Sequence, residues 1–167
     1  MLNRQRMSLG GTLSGYPLMH TLEEFEPVVL EKEMEMAQGG RFVPEQMMVG
    51  LKEMTCRVTL SGGGIEIVAA LGITEGDTVE LDVIEALKDL EGIKYQVWHR
   101  VSGEIIKLER NTVKMKDKPQ MIYTIAPVAT SCRENGVILH DIDLRRQVIN
   151  LGQGDLMEPY RRMVLSP

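Results

Sequence analysis

The chain has 167 residues and a net charge of −5, with 43% hydrophobic and 26% charged residues. A fold of that size buries roughly two-thirds of the surface its unfolded chain exposes, so it needs no staples, and the composition excludes wholesale disorder, collagen and coiled coil. Asp+Glu outnumber Lys+Arg by 24 to 19, which argues against a protein that grips nucleic-acid phosphates, since that takes a basic surface. No apolar run reaches the ~18 residues of a membrane span, and no membrane partner is expected. Arg4 and Arg6 are followed by Ser, Gly and Thr rather than by the apolar core of a signal peptide, so export by that route is not expected. Cys56 and Cys132 are too few for a disulfide framework and read as reduced cytoplasmic thiols. Twelve Met stand against two Phe and one Trp. Met serves both irregular core gaps and adaptable contact surfaces, and gap-filling in an aromatic-poor core is the simpler of the two.

In chain order, the segment to Thr21 is polar and Gly-rich, with Gly10-Gly11, Gly15 and Pro17, and reads as a loose arm or a short edge strand. Val28 to Met36 alternates, with Glu31, Glu33 and Glu35 on one face and Leu30, Lys32, Met34 and Met36 on the other. Gln38 to Gln46 is a loop longer than a hairpin needs, broken by Gly39, Gly40 and Pro44. Met47 to Leu60 reads as the return strand, with Met54, Cys56, Val58 and Leu60 on one face. Ser61-Gly62-Gly63-Gly64 stops it, and Ile65 to Gly72 is the good short-helix candidate. Thr78 to Val83 alternates like a strand, with a helix possible over Val83 to Leu90. Strands follow at Ile93–Val101, Glu104–Met115 and Gln120–Thr130, with a tight hairpin at Ser102-Gly103 and a charged turn at Lys116 to Pro119. Asn135-Gly136 is a strong turn signal before a last strand over Val137–Asp143. Residues 145–167 read as a polar tail. The whole predicts a mainly β chain: an antiparallel β-sandwich or barrel with one short flanking α-helix, in a single domain over 1–167. A flexible arm over residues 1–20 and a C-terminal extension over 145–167 complete it.

Catalytic signals are sparse. His20, His99 and His140 are the only histidines. His140-Asp141 with Asp143 resembles a metal set, yet His140 and Asp141 point to opposite faces of a strand, so no metal is expected. Cys132 and His140 form a conceivable nucleophile and base, without a third residue to orient them. Ser61-Gly62-Gly63-Gly64 lacks the Lys-Ser/Thr of a phosphate loop, and Gly152-Gln153-Gly154 is weaker still. Neither a Gly-x-Ser-x-Gly elbow nor a His-Glu-x-x-His pair occurs. No enzyme and no cofactor are expected.

The acidic run is the most informative local feature: Glu23, Glu24, Glu26, Glu31, Glu33 and Glu35 place six of the 24 acids within thirteen residues. Such a run is ordinarily a solvated face. It is also a surface that repels anions, and like charges along one strand face cost stability.

The order of features resembles the major tail tube proteins of contractile-tailed bacteriophages and the related phage-tail-like bacteriocins. The resemblance runs through Leu13-Ser14-Gly15-Tyr16, Pro27, Gly39-Gly40, Leu60-Ser61-Gly62-Gly63 and Ala70-Leu71-Gly72. It is clearest at Gly136, Ile142-Asp143, Gly154-Asp155 and Arg161-Arg162, while Met1 to Gly11 and the residues after Arg162 depart from the pattern. It implies a virion protein, assembled in the host cytoplasm, whose partners are further copies of itself in stacked hexameric rings, the tail sheath protein, and the baseplate and tail terminator proteins. DNA passes through the lumen without specific binding. On that footing Glu31, Glu33 and Glu35 are expected to line the lumen, with Met34 and Met36 packed on the core sheet behind them. Gly39, Gly40, Arg41, Phe42, Val43, Pro44 and Met47 are expected to form the ring-stacking loop. Alternatives are a bacteriocin or secretion tube, a small-ligand-binding β-barrel and a Cys132–His140 hydrolase.

Overall fold

The computed structural model describes residues 3–61 and 78–166. Its strands are β1 (Arg4–Leu13), β2 (Tyr16–Pro17), β3 (Leu22–Glu26), β4 (Lys32–Ala37), β5 (Glu45–Leu51), β6 (Cys56–Ser61), β7 (Val79–Asp89), β8 (Lys94–Arg110), β9 (Gln120–Glu134), β10 (Val137–Asp143) and β11 (Val148–Asn150), followed by helix α1 (Glu158–Leu165). The fold is mainly β and antiparallel, as the alternation predicts. The helix candidate over Ile65–Gly72 lies outside the described residues.

Strand β9 organises the sheet. One edge pairs with β8 along nearly its whole length. The other edge is divided: Gln120–Ile125 pair with β6, and Ala129–Glu134 pair with β10. The main path is β11-β10-β9-β8-β7-β1-β2, and β6 and β3 branch from β9 to complete nine strands. Inward side chains from both arms of the fork meet in one core, among them Leu13, Leu18, Val58, Leu81, Val83, Val101 and Ile125. Period-two burial makes this possible: Val79, Leu81 and Val83 are buried while Glu80 between them is exposed. The curled sheet is not closed, since β1 pairs with β7 and β2, and β3 with β6, with no ladder between β1 and β3. Of the sandwich and barrel alternatives, the open, sandwich-like form is the one present.

Several elements differ from the sequence reading. Ser102-Gly103 does not turn the chain; β8 runs through it as one strand of 17 residues. Ser102 faces Ala129 and Gly103 faces Pro127, so Val128 is an extra residue and the site is a bulge. The bulge admits Pro127, which has no N–H to give a ladder, into the middle of β9. A turn dipeptide and a bulge dipeptide look alike in sequence because both need a small residue. Here the reason is steric, because a Cβ on Gly103 would run into the Ala126 carbonyl. The region over Val83–Leu90 is strand, not helix, because its ladder with β8 continues to Lys88.

The expected return strand over Met47–Leu60 is two strands. β5 pairs with β4 in a separate two-stranded sheet, and β6 joins β3 and β9. The break comes at Lys52–Thr55, and Met54, Cys56, Val58 and Leu60 are buried as their alternation predicts. The first long strand starts at Lys32 rather than Val28. Val28 packs against the core, so the residues after it lead outward from core to hairpin. Arg4–Leu13, within the segment read as arm or edge strand, forms β1 and pairs with β7 from Arg4 to Leu13. The segment read as a polar tail holds β11 and α1.

The bulge supports one expectation about stability. Gly103→Ala should destabilise the fold by roughly 1–3 kcal/mol or more through backbone overpacking, whereas Gly10→Ala, where a Cβ meets nothing within 4 Å, should change little; paired denaturant melts measure the difference.

Candidate assembly surface

The β4–β5 hairpin is where the surface departs furthest from that of a self-sufficient monomer. Glu33 faces Gly50 and Met34 faces Met48, so Val49 is an extra residue on β5 and β4 keeps its strict alternation. Residues opposite each other share a face. One face therefore carries Glu33, Glu35 and Glu45, with Met47 opposite Glu35, and the other Met34, Met36 and Met48, with Lys32. Every residue of β4 is exposed. Met34 and Met36 do not pack on the core sheet as expected, because the hairpin pairs only with itself and stands away from it. Two strands alone have no inside, and such a ribbon is at best marginally stable in water.

The methionines follow suit. Met7, Met19, Met34, Met36, Met47, Met48, Met115 and Met163 are exposed, and only Met54 and Met121 of the described ones belong to the buried core. Their abundance is chiefly a surface property, which overturns the gap-filling reading.

At the hairpin tip, Gly39 and Gly40 have φ of 39° and 74°, and the Arg41 N–H donates to the Gln38 carbonyl at 2.8 Å. Two positive φ values fit a type I′ turn and explain the glycine pair. Arg41 ion-pairs with Glu45 across the loop. That leaves Phe42 wholly exposed and Val43 70% exposed. At the base, the Lys52 ammonium meets Glu31 at 2.9 Å, and the Lys52 N–H donates to the Glu31 carbonyl at 2.9 Å. Glu31 thus lies just before β4 and is charge-paired, whereas Glu33 and Glu35 form no ion pair among the described residues.

Beside the base lies the C-terminal unit. The Asp155 carboxylate accepts the N–H groups of Ile149 and Met157, each at 3.0 Å, and Arg161 Nη2 at 2.5 Å. Arg161 Nη1 also donates to the Gln147 carbonyl at 2.8 Å. Desolvation raises the Asp155 pKa, but the two backbone donors and Arg161 outweigh it and hold the carboxyl below its ordinary value. This latch ties α1 to β11. No residue of α1 is buried, and Met163, Val164 and Leu165 face outward. Between hairpin base and latch, Met48, Leu51, Ile149, Leu156, Met157 and Tyr160 line an open apolar groove of about 460 Å³.

A polar cluster occupies the upper core. Glu85 accepts from Arg6 Nε at 2.5 Å and meets His99 Nε2 at 2.7 Å, with Phe25 against the His99 ring. Cys132 lies in register between His99 and His140, so the structure brings Cys132 and His140 side by side. It does not arm them. Burial, then Glu85 and Glu134, push the Cys132 thiol up, the reverse of what a thiolate nucleophile needs. His140 Nε2 is buried without a hydrogen-bond partner. Among the described residues no group of three or more His, Cys, Asp or Glu is arranged to hold a metal ion, and no described helix is long and apolar enough to cross a membrane.

Among the described residues, the exposed hairpin and the groove beside it are the notable surface features. The family model for phage tail tube protein FII matches residues 12–164, and the chain belongs to that family. It is accordingly a structural subunit of a phage tail tube and a component of the virion tail, one that self-assembles and meets other tail components. The matched range leaves out Met1 to Gly11, where the resemblance also lapses. No curated protein matches the chain significantly. The residues that carry the resemblance have structural work. Gly15 and Gly136 follow residues of positive φ at turns, with φ of 90° and 84°. Ile142 is buried, Asp143 accepts the N–H groups of Arg145 and Arg146, and Asp155 with Arg161 makes the latch. Sequence reasoning missed Glu45, which shares the acidic face, and the groove. Neither has a local signal, since each needs the strand register.

The buried imidazole sets a pH dependence. Burial first, then His99, lowers the His140 pKa, against a smaller upward pull from Asp141. The unfolded chain thus takes up this proton at a higher pH than the folded one. Its contribution to stability is whole above the ordinary histidine value, about 6.5, and is lost as pH falls below it. His140→Asn should flatten the fall in stability below pH ~6.5 relative to the parent, read from melts at closely spaced pH.

Proposed function

We propose that this subunit forms hexameric rings that stack into a hollow tube within a contractile sheath, the conduit for the genome at ejection. Residues 1–167 act as one tube domain, assembled in the host cytoplasm, with the sheath, baseplate and tail terminator proteins as partners. The observation that carries the reading is the β4–β5 hairpin, with an acidic and a Met-rich face both in water. A two-faced ribbon is stable where a neighbour covers one face and solvent keeps the other. Neighbouring copies supply the cover for Met34, Met36 and Met48, and Met adapts to such contacts. The open sheet adds a second support. Its unclosed edges are a template for pairing, and closure between subunits removes them.

The acidic face then lines the bore, through Glu33 and Glu35 with Glu31 at its foot. Carboxylates attract no phosphates and release no counterions to favour binding, so duplex DNA slides past without adhering. This favours a DNA-conducting tube over a bacteriocin or secretion tube, which carries no genome. The loop of Gly39, Gly40, Arg41, Phe42, Val43 and Pro44 makes the contact between rings, while Met47, expected in that loop, lies in β5 opposite Glu35.

Electron microscopy of the purified protein over a range of concentrations should show rings and hollow tubes; a monomer at every concentration counts against ring formation by the subunit alone. Deleting Gly39–Met47 should leave a folded protein that no longer polymerises, and normal tubes from that deletion refute the stacking loop. In a three-dimensional map of the tube, the Glu33 and Glu35 carboxylates should point into the bore; carboxylates turned toward the sheath overturn the lumen assignment.

A further inference from the structure

The hairpin carries an apolar projection at its tip and an apolar recess at its base. Phe42 is wholly exposed, and the recess between β5, β11 and α1 has about 460 Å³ of space and a mainly apolar lining. One molecule cannot join them. Six residues of β4 lie between tip and base, about 20 Å at ~3.3 Å per residue. The tip of one copy can reach only the recess of another.

Such a contact is heterologous, one feature meeting a different feature on the next copy, and it repeats from copy to copy. It is also small. An aromatic side chain buries about 150–250 Å², well below the ~1,000 Å² that a stable pair needs. One contact therefore holds no dimer, whereas a ring making several at once gains by multivalency. Charge agrees. Arg41 adjoins Phe42 at the tip, and Glu158 adjoins Met157 at the recess. Each is now held by a neighbour four residues away, Arg41 by Glu45 and Glu158 by Arg162, on exposed surface. Exposed pairs of that kind are weak and exchange readily.

We propose that Phe42 of one subunit seats in the groove of Leu51, Ile149, Leu156, Met157 and Tyr160 of a subunit in the adjoining ring, with Arg41 re-pairing to Glu158 there. This rests on the reading of residues 39–47 as the stacking loop and names what the loop docks against.

The test uses the full chain carrying Phe42→Cys and Leu156→Cys together. Both positions are exposed. The native thiols of Cys56 and Cys132 do not compete, being buried, with Cys56 pushed up to about 12. Mild oxidation of assembled tubes should give a reductant-sensitive ladder of covalent oligomers beyond the dimer, and neither single variant should give one. Intact tubes with no ladder and a dye-accessible thiol at position 156 overturn the contact and point to another tail component over the groove. The stacking reading then still stands, because it falls only if the loop deletion also forms normal tubes. In a second arm, Phe42→Ala should raise the concentration for half-assembly by at least about tenfold, as for an aromatic anchor. Arg41→Glu should weaken assembly and Glu158→Arg should restore it in the double variant. Failure to restore overturns the ion pair.

Discussion

The pairing of β9 on both edges is the constraint on which the rest of the structure depends. A strand has two edges, and β9 spends one on β8 and divides the other between β6 and β10. The division falls at the Pro127–Val128 bulge, where the ladder is already interrupted. Because the two arms of the fork diverge there, the sheet curls, and β3 with β6 comes to lie over the face that β1 and β7 present. The core residues of both arms meet as a result. Without the bulge, a flat sheet would leave one of these faces in water.

The same fork determines what is left outside. β3 and β6 lie next to each other and are joined by the chain between Glu26 and Cys56. That chain leaves the core after Val28, pairs with itself as β4 and β5, and returns at Met54. It is anchored by half-buried Val28 at one end, buried Met54 at the other and the Glu31–Lys52 contacts between, and has no core of its own. The subunit thus separates two tasks. The curled sheet supplies rigidity, and the hairpin with the C-terminal latch supplies surface. Their energetics differ accordingly. Truncating a buried Leu13 or Leu81 to Ala carries the usual core penalty of about 2–5 kcal/mol, while changes to exposed Met36 or Phe42 leave the monomer almost untouched. Variants on the exposed hairpin therefore leave folding largely intact.

Much of this was legible along the chain. Alternation identified the first half of β7, most of β9 and all of β10, and it separated the Glu face from the Met face of β4. Turn chemistry located Asn135-Gly136, whose φ values of 48° and 84° are both positive. The ordered pattern of Gly136, Ile142-Asp143, Gly154-Asp155 and Arg161 pointed to the family, because those positions hold turns and the Asp155–Arg161 latch. Others misled for identifiable reasons. Ser102-Gly103 read as a turn because a small residue serves bulge and turn alike. Met47–Leu60 read as one strand because both halves share a period. Met34 and Met36 read as core because hydrophobicity alone does not say on which side of the surface a side chain ends; both are exposed.

The sequence by itself determined the class of protein: mainly antiparallel β, acidic, poor in catalytic signals, with a glutamate face and an overlong Gly-rich loop. These are local properties, set by side-chain period and turn stereochemistry, and they survive any arrangement of the strands. Only the tertiary structure decided which faces are inside. Burial depends on which strand lies beside which, and a pairing between residues 79 apart, such as Arg6 with Glu85, leaves no mark on either neighbourhood. The groove at the hairpin base is of this kind, since Leu51 and Leu156 come from distant segments that meet only when β9 has drawn both arms around it.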